Sequence, residues 1–222
     1  MTQRTSTTTN GSPGSGALSA TDRKHQAILD AAQEVFLRSG YPGTNMDELA
    51  AFASVSKQTV YKHFQSKEAL FIEVVSRMTT GAGDRVLHDD IPTGITADTL
   101  TPYLIEYADR QLCVVLTPRL MQLRRLVISE VPRFPELAKV LYDLGPQRAM
   151  TAMVRLFTLF HEQGLLKIEN INDAASQFNW LVMAEPLNLA MLLGDEAIPD
   201  RDTLRSHAEK GVAIFLSAYR AT

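Results

Sequence analysis

The chain has 222 residues, 45% of them hydrophobic, and a formal net charge of −3. That length admits one or two domains with a sizeable core, no stretch approaches the roughly 20 apolar residues of a membrane span, and the negative balance excludes a chain that is basic throughout. The charge is unevenly spread: residues 1–70 hold seven Lys/Arg and six Asp/Glu, the remainder fifteen and nineteen. Any basic footprint is therefore local, and non-specific DNA affinity should be modest. The single cysteine, Cys113, cannot form an internal disulfide and reads as a small buried hydrophobe. With no apolar run of a signal peptide at the N-terminus, a cytoplasmic location is expected.

Residues 1–20 are rich in Thr, Ser and Gly with one charge, Arg4. Such a segment cannot recover its ordering entropy and is expected to be a disordered tail. A first helix follows, capped by Thr21 or Asp22, with Ile28, Ala32, Val35 and Phe36 on one face and Gly40 as its stop. Asn45 with Glu48 is a capping pair for a short second helix. Ser56 caps a third and Ser66 a fourth, which is predicted to reach about Thr80. Gly81–Ile95 reads as a linker. Further helices are predicted over about 97–115, 118–130, 135–143, 146–163, 172–193 and 201–220, with a kink at Pro186. The 146–163 segment is apolar round most of its circumference and should be buried. No segment alternates with period two, so an all-α fold is expected: an N-terminal three-helix domain with a helix-turn-helix (21–68) and a C-terminal helical bundle (69–222).

The stretch 44–71 is the most informative. Leu49, Ala50, Ala53, Val55, Val60 and Phe64 form an inner side, and Lys57, Gln58, Thr59, Tyr61, Lys62, His63 and Lys67 an outer one. No carboxylate lies between Leu49 and Lys67. A short donor-rich helix beside a tight turn suits the DNA major groove. Lys57 can donate to guanine and Gln58 can pair with adenine, while Thr44, Thr59, Lys62 and Lys67 are phosphate candidates.

Phe36–Gly40, Thr44, Glu48-Leu49-Ala50, Ala53, Val55-Ser56, Thr59-Val60-Tyr61, His63-Phe64, Lys67 and Leu70 together resemble the DNA-binding domain of the TetR family of bacterial transcriptional regulators. Ser54 departs from the pattern where the family usually has the turn glycine, and Asn45 where a second threonine is common. The resemblance implies that Tyr61 and His63 approach phosphates. It also implies a homodimer formed through the last two long helices, a palindromic double-stranded operator, and a C-terminal pocket for a largely apolar small-molecule effector that releases a repressor from DNA. Tyr103, Tyr107, Met121, Phe157, Trp180 and Met183 are the candidate pocket residues, as a set that fits an apolar, adaptable cavity. Arg124 and Arg125 are about 100° apart on a helix, so at most one, here assigned to Arg124, points well into a cavity.

An enzyme is not expected: the chain lacks a glycine-rich phosphate loop, paired metal-binding histidines and a nucleophile elbow, so no catalytic site, metal or cofactor is assigned. His88-Asp89-Asp90 reads as a solvated turn, His25 and His207 as surface residues. The alternative is an all-helical protein–protein interaction module without DNA binding.

Overall fold

The computed structural model describes residues 19–87 and 93–221, and their regular structure is helical apart from an isolated bridge between Leu166 and Arg220. Helix α1 (Ala20–Gly43) is capped two or three residues earlier than the sequence suggests, at Ser19 rather than Thr21 or Asp22. Ser19 accepts from the Asp22 amide at 3.1 Å while Asp22 accepts from the Ser19 amide at 3.2 Å, a reciprocal cap. The helix breaks at Gly40, whose φ of 70° is open to a residue without Cβ. Asn45 caps α2 (Met46–Phe52) through the Asp47 amide at 2.8 Å, but Glu48 pairs with Arg38 instead of completing the box. Ser56 and Ser66 cap α3 (Lys57–Phe64) and α4 (Lys67–Val86) by accepting from the amides of Thr59 and Ala69.

Helix α4 runs past its predicted end and absorbs Gly81 and Gly83, which the sequence reading placed in a linker. Tertiary packing explains the extension. A Cβ on Gly83 would sit 3.0 Å from Arg148 Nη1, Arg148 pairs with Asp84 at 2.7 Å, and Arg110 donates to the Val86 carbonyl at 2.9 Å. The His88-Asp89-Asp90 motif and residues 1–18 of the predicted tail lie outside the described residues.

The remaining helices are α5 (Ala97–Val115), α6 (Pro118–Glu130), α7 (Pro135–Tyr142), α8 (Arg148–Glu162), α9 (Ile171–Leu193) and α10 (Arg201–Tyr219). A π-helical turn at Asp143–Gln147 joins α7 to α8 and accommodates Pro146. Helix α9 runs unbroken through the buried Pro186, at which the sequence suggested a kink. Neither His25 nor His207 is a plain surface residue. His25 lies 2.6 Å from Glu73 and stacks on Phe64, and His207 Nε2 lies 3.0 Å from the Val182 carbonyl oxygen.

Two hydrophobic cores organise these helices. One joins α5, α8, α9 and α10 around Phe157, Phe160, Phe178 and Phe215. The other is built by α1–α3 and the first half of α4 (Leu70, Phe71, Val74, Val75), and is completed by Leu123 and Val127 of α6 and Leu137 of α7. Helix α6 thus belongs to both, since Met121 lies in the first core. Ion pairs from Arg77 to Asp30 and from Arg119 to Glu34 fasten α4 and α6 to α1.

Candidate nucleic-acid interface and effector cavity

The turn between α2 and α3 fixes the direction of α3. The Val55 amide donates to the Ala50 carbonyl at 2.9 Å and the Ser54 amide to the Ala51 carbonyl at 3.0 Å. These two bonds define a Schellman motif, with Ser54 at the left-handed position that glycine usually takes (φ 55°). Val60 and Phe64 are then buried against α1 and α2, which turns Lys57, Gln58, Tyr61 and Lys62 outward on a single exposed face.

The other candidates are placed differently. Thr59 is half-buried, its hydroxyl 2.8 Å from the capping Ser56 Oγ. His63 is half-buried beside Phe64 and His25, the two imidazole centroids 5.8 Å apart. Thr44 is buried and its hydroxyl donates to the Gly40 carbonyl at 2.7 Å. The Lys67 ammonium donates to the Thr44 carbonyl at 2.8 Å and sits over the Tyr41 ring; desolvation holds its pKa below the ordinary lysine value. Thr44 and Lys67 therefore brace the domain from within. Lys57 is tied to Asp47 at 3.0 Å, and that hydrogen bond raises its pKa. Its carboxylate partner went unrecognised in the sequence reading because the ten-residue separation spans the turn.

A cavity of about 690 Å³ lies between α4, α5, α6, α8 and α9. Of the seven candidate pocket residues, Met121, Arg124, Trp180 and Met183 line it. Tyr103, Tyr107 and Phe157 do not; they pack in the C-terminal core. Phe157 stacks on Phe215 with centroids 5.0 Å apart, and burial pushes the Tyr107 phenol up to about 12. The lining that sequence reasoning missed includes Thr79, Ala82, Gly83 and Val86 on α4, Gln111 on α5, and Ala149, Met150 and Val154 on α8. This also corrects the reading of the 146–163 segment: only the Met153, Leu156, Phe157 and Phe160 face of α8 is fully buried, while its other apolar side borders the void.

Of the two adjacent arginines, Arg125 turns away, pairing with Asp195 and donating to the Ala190 carbonyl at 2.8 Å. Large apolar side chains stand exposed on α9 and α10: Trp180 (57%), Leu192 (79%), Leu193 (70%) and Ile214 (57%). No helix among the described residues is long and apolar enough to cross a membrane.

Comparison with known proteins follows this division. Residues 28–74 match the profile of bacterial regulatory proteins of the tetR family, and residues 102–221 match that of the AefR-like transcriptional repressor C-terminal domain. A crystal structure described as a TetR-family transcriptional regulator from Mesorhizobium loti is 32% identical with a TM-score of 0.84, covering 92% of this chain and 100% of that one. The flavonoid-responsive regulator FrrA is 27% identical with a TM-score of 0.72, covering 90% and 98%. The transcriptional activator FasR of Mycolicibacterium smegmatis is 45% identical over 56 residues, and the transcriptional regulator RutR of Escherichia coli 41% over 59. Those two matches take in 25% and 27% of this chain and span about a quarter of the length of each relative, 26% and 28%.

Proposed function

Because this chain belongs to the TetR family and is a DNA-binding transcriptional regulator rather than an enzyme, we propose that it acts as a homodimeric repressor released from a palindromic operator by a small molecule. The interaction module without DNA binding is set aside by the family assignment. The observation that carries the release reading is the double duty of α4 and α6. Phe71, Val74 and Val75 of α4 and Leu123 and Val127 of α6 build the core behind the recognition helix. Thr79, Ala82 and Gly83 of α4 and Met121 and Arg124 of α6 line the cavity. An occupant that prefers one packing of these two helices shifts the population of recognition-helix positions by its differential affinity for the two states.

The repressor direction draws on the AefR-like description of the larger matched region. FasR, an activator, matches over only 25% of the chain. Ligand response draws support from the cavity and from FrrA, whose name records a response to flavonoids. One short recognition helix reads few bases, so two copies about one duplex turn apart are needed for useful selectivity. The exposed apolar side chains of α9 and α10 supply the surface for that pairing, and a bacterial DNA-binding regulator of this kind works in the cytoplasm.

On DNA, Lys57, Gln58, Tyr61 and Lys62 meet the groove, with Thr59 and His63 at its edge, while Lys67 and Thr44 hold α4 against the preceding turn. The test is to capture genomic fragments with the protein, sequence them, and measure occupancy by fluorescence anisotropy with and without compounds that shift thermal unfolding. Palindromic fragments that dissociate on compound addition are expected. Fragments without two-fold symmetry, or occupancy that every stabilising compound increases, would overturn the reading.

A further inference from the structure

Among the described residues lining the cavity, Arg124 alone carries a charge. It makes no ion pair and no hydrogen bond with any of the described residues, whereas its neighbour Arg125 is fully engaged. Burial pulls the Arg124 guanidinium below its ordinary pKa, and no carboxylate among the described residues opposes that pull. A half-buried cation without a counter-ion is costly unless something supplies one.

A second unsatisfied group lines the same cavity. Gln111 is 4% exposed; its Nε2 donates to Asn179 Oδ1 at 3.1 Å, and its Oε1 is buried with no partner among the described residues. Buried polar atoms are ordinarily paired, and Gln111 borders the cavity, so a turn of its carboxamide would offer this orphan acceptor to a ligand donor. The helices that carry the two groups meet α9 at different levels. The bond from Arg125 holds α6 against α9 at Ala190, whereas Gln111 meets α9 at Asn179. These positions are roughly 16 Å apart along the helix axis. The cavity wall is mostly apolar and sulfur-rich, with Met121, Met150, Val154 and Met183 beside Trp180.

We propose that the effector is an elongated amphipathic monocarboxylate, its head on Arg124, its aliphatic body along the methionine wall, and a hydrogen-bond donor reaching Gln111. This rests on the reading of the cavity as an effector site. A single guanidinium with no second cation matches one negative charge and leaves a phosphate dianion uncompensated. The flexible thioethers adapt to the contour of an aliphatic chain.

Trp180 lines the cavity and is the chain's single tryptophan, so its emission reports binding without DNA. The probes are 12-hydroxydodecanoate, its methyl ester and plain dodecanoate, with wild type, Arg124→Gln and Gln111→Leu. The acid should bind wild type about ten- to a hundredfold more tightly than its ester, the range expected for hydrogen bonds to a charged group. Arg124→Gln should abolish that preference, and Gln111→Leu should remove the preference for the hydroxylated acid over dodecanoate. Circular dichroism and retained DNA binding check that each variant is folded. Equal affinity for acid and ester, or an acid preference that survives Arg124→Gln, overturns the proposal. Neutral or cationic compounds that displace DNA while the acids do not bind would refute the carboxylate and leave release intact. Carboxylate binding through Arg124 with no change in DNA occupancy would uphold the site and refute release.

Discussion

Replacing Ser54 by glycine isolates the conformational cost of the turn that aims the recognition helix. Ser54 is exposed, its hydroxyl makes no hydrogen bond among the described residues, and its φ is 55°. Glycine therefore removes no contact. An L-residue in the left-handed region costs roughly 1–2 kcal/mol, while glycine loses about 0.5–1 kcal/mol more backbone entropy on folding. The balance is a stabilisation of between about zero and about 1.5 kcal/mol, or up to about 6 °C for a chain of this size. The Schellman bonds from Ser54 and Val55 should persist, so operator affinity should stay within about twofold. Urea denaturation measures the stability change, and hydrogen exchange at the Ser54 and Val55 amides locates it. The β-branched variant Ser54→Val should move the other way. A loss of stability in Ser54→Gly would show that the left-handed conformation costs serine less than the backbone entropy that glycine gives up on folding.

Four further outcomes follow from the same geometry. Lys62→Ala should weaken operator binding and reduce the slope of log affinity against log salt by about one, as expected for a lost phosphate contact; an unchanged slope in anisotropy titrations would remove Lys62 from the phosphates. Asp47→Asn frees Lys57 from its 3.0 Å partner and removes a negative charge beside the groove, so DNA affinity should rise a few-fold at low salt and less at high salt. The buried Tyr107 hydroxyl has no partner among the described residues, so Tyr107→Phe should be neutral or stabilising by up to about 1 kcal/mol in urea titrations; a clear loss would reveal a hidden hydrogen bond. Leu192→Glu should shift sedimentation toward the monomer and weaken DNA binding in parallel, because Leu192 is 79% exposed in the single chain and a charge there would be desolvated in a dimer.

The sequence by itself determined what depends on neighbours within about one helical turn. Ser56 and Ser66 could be recognised as caps, Gly40 as a stop, and the period of apolar residues located every long helix. The outward face of α3 was legible for the same reason, since burying Val60 and Phe64 leaves Lys57, Gln58, Tyr61 and Lys62 outside. Tertiary structure decided what depends on partners far along the chain. Gly81 and Gly83 resemble linker residues until Arg148 and Arg110 arrive to pack and cap the last turns of α4. Phe157 and Met150 share one apolar helix, and only the positions of α9 and α10 send one into the core and the other to the cavity wall. Arg124 and Arg125 are adjacent and alike; Asp195, seventy residues on, claims one and leaves the other facing the void. Local spacing fixes a side chain's direction on its own helix, but burial, pairing and the shape of empty space arise only when separate helices close around one another.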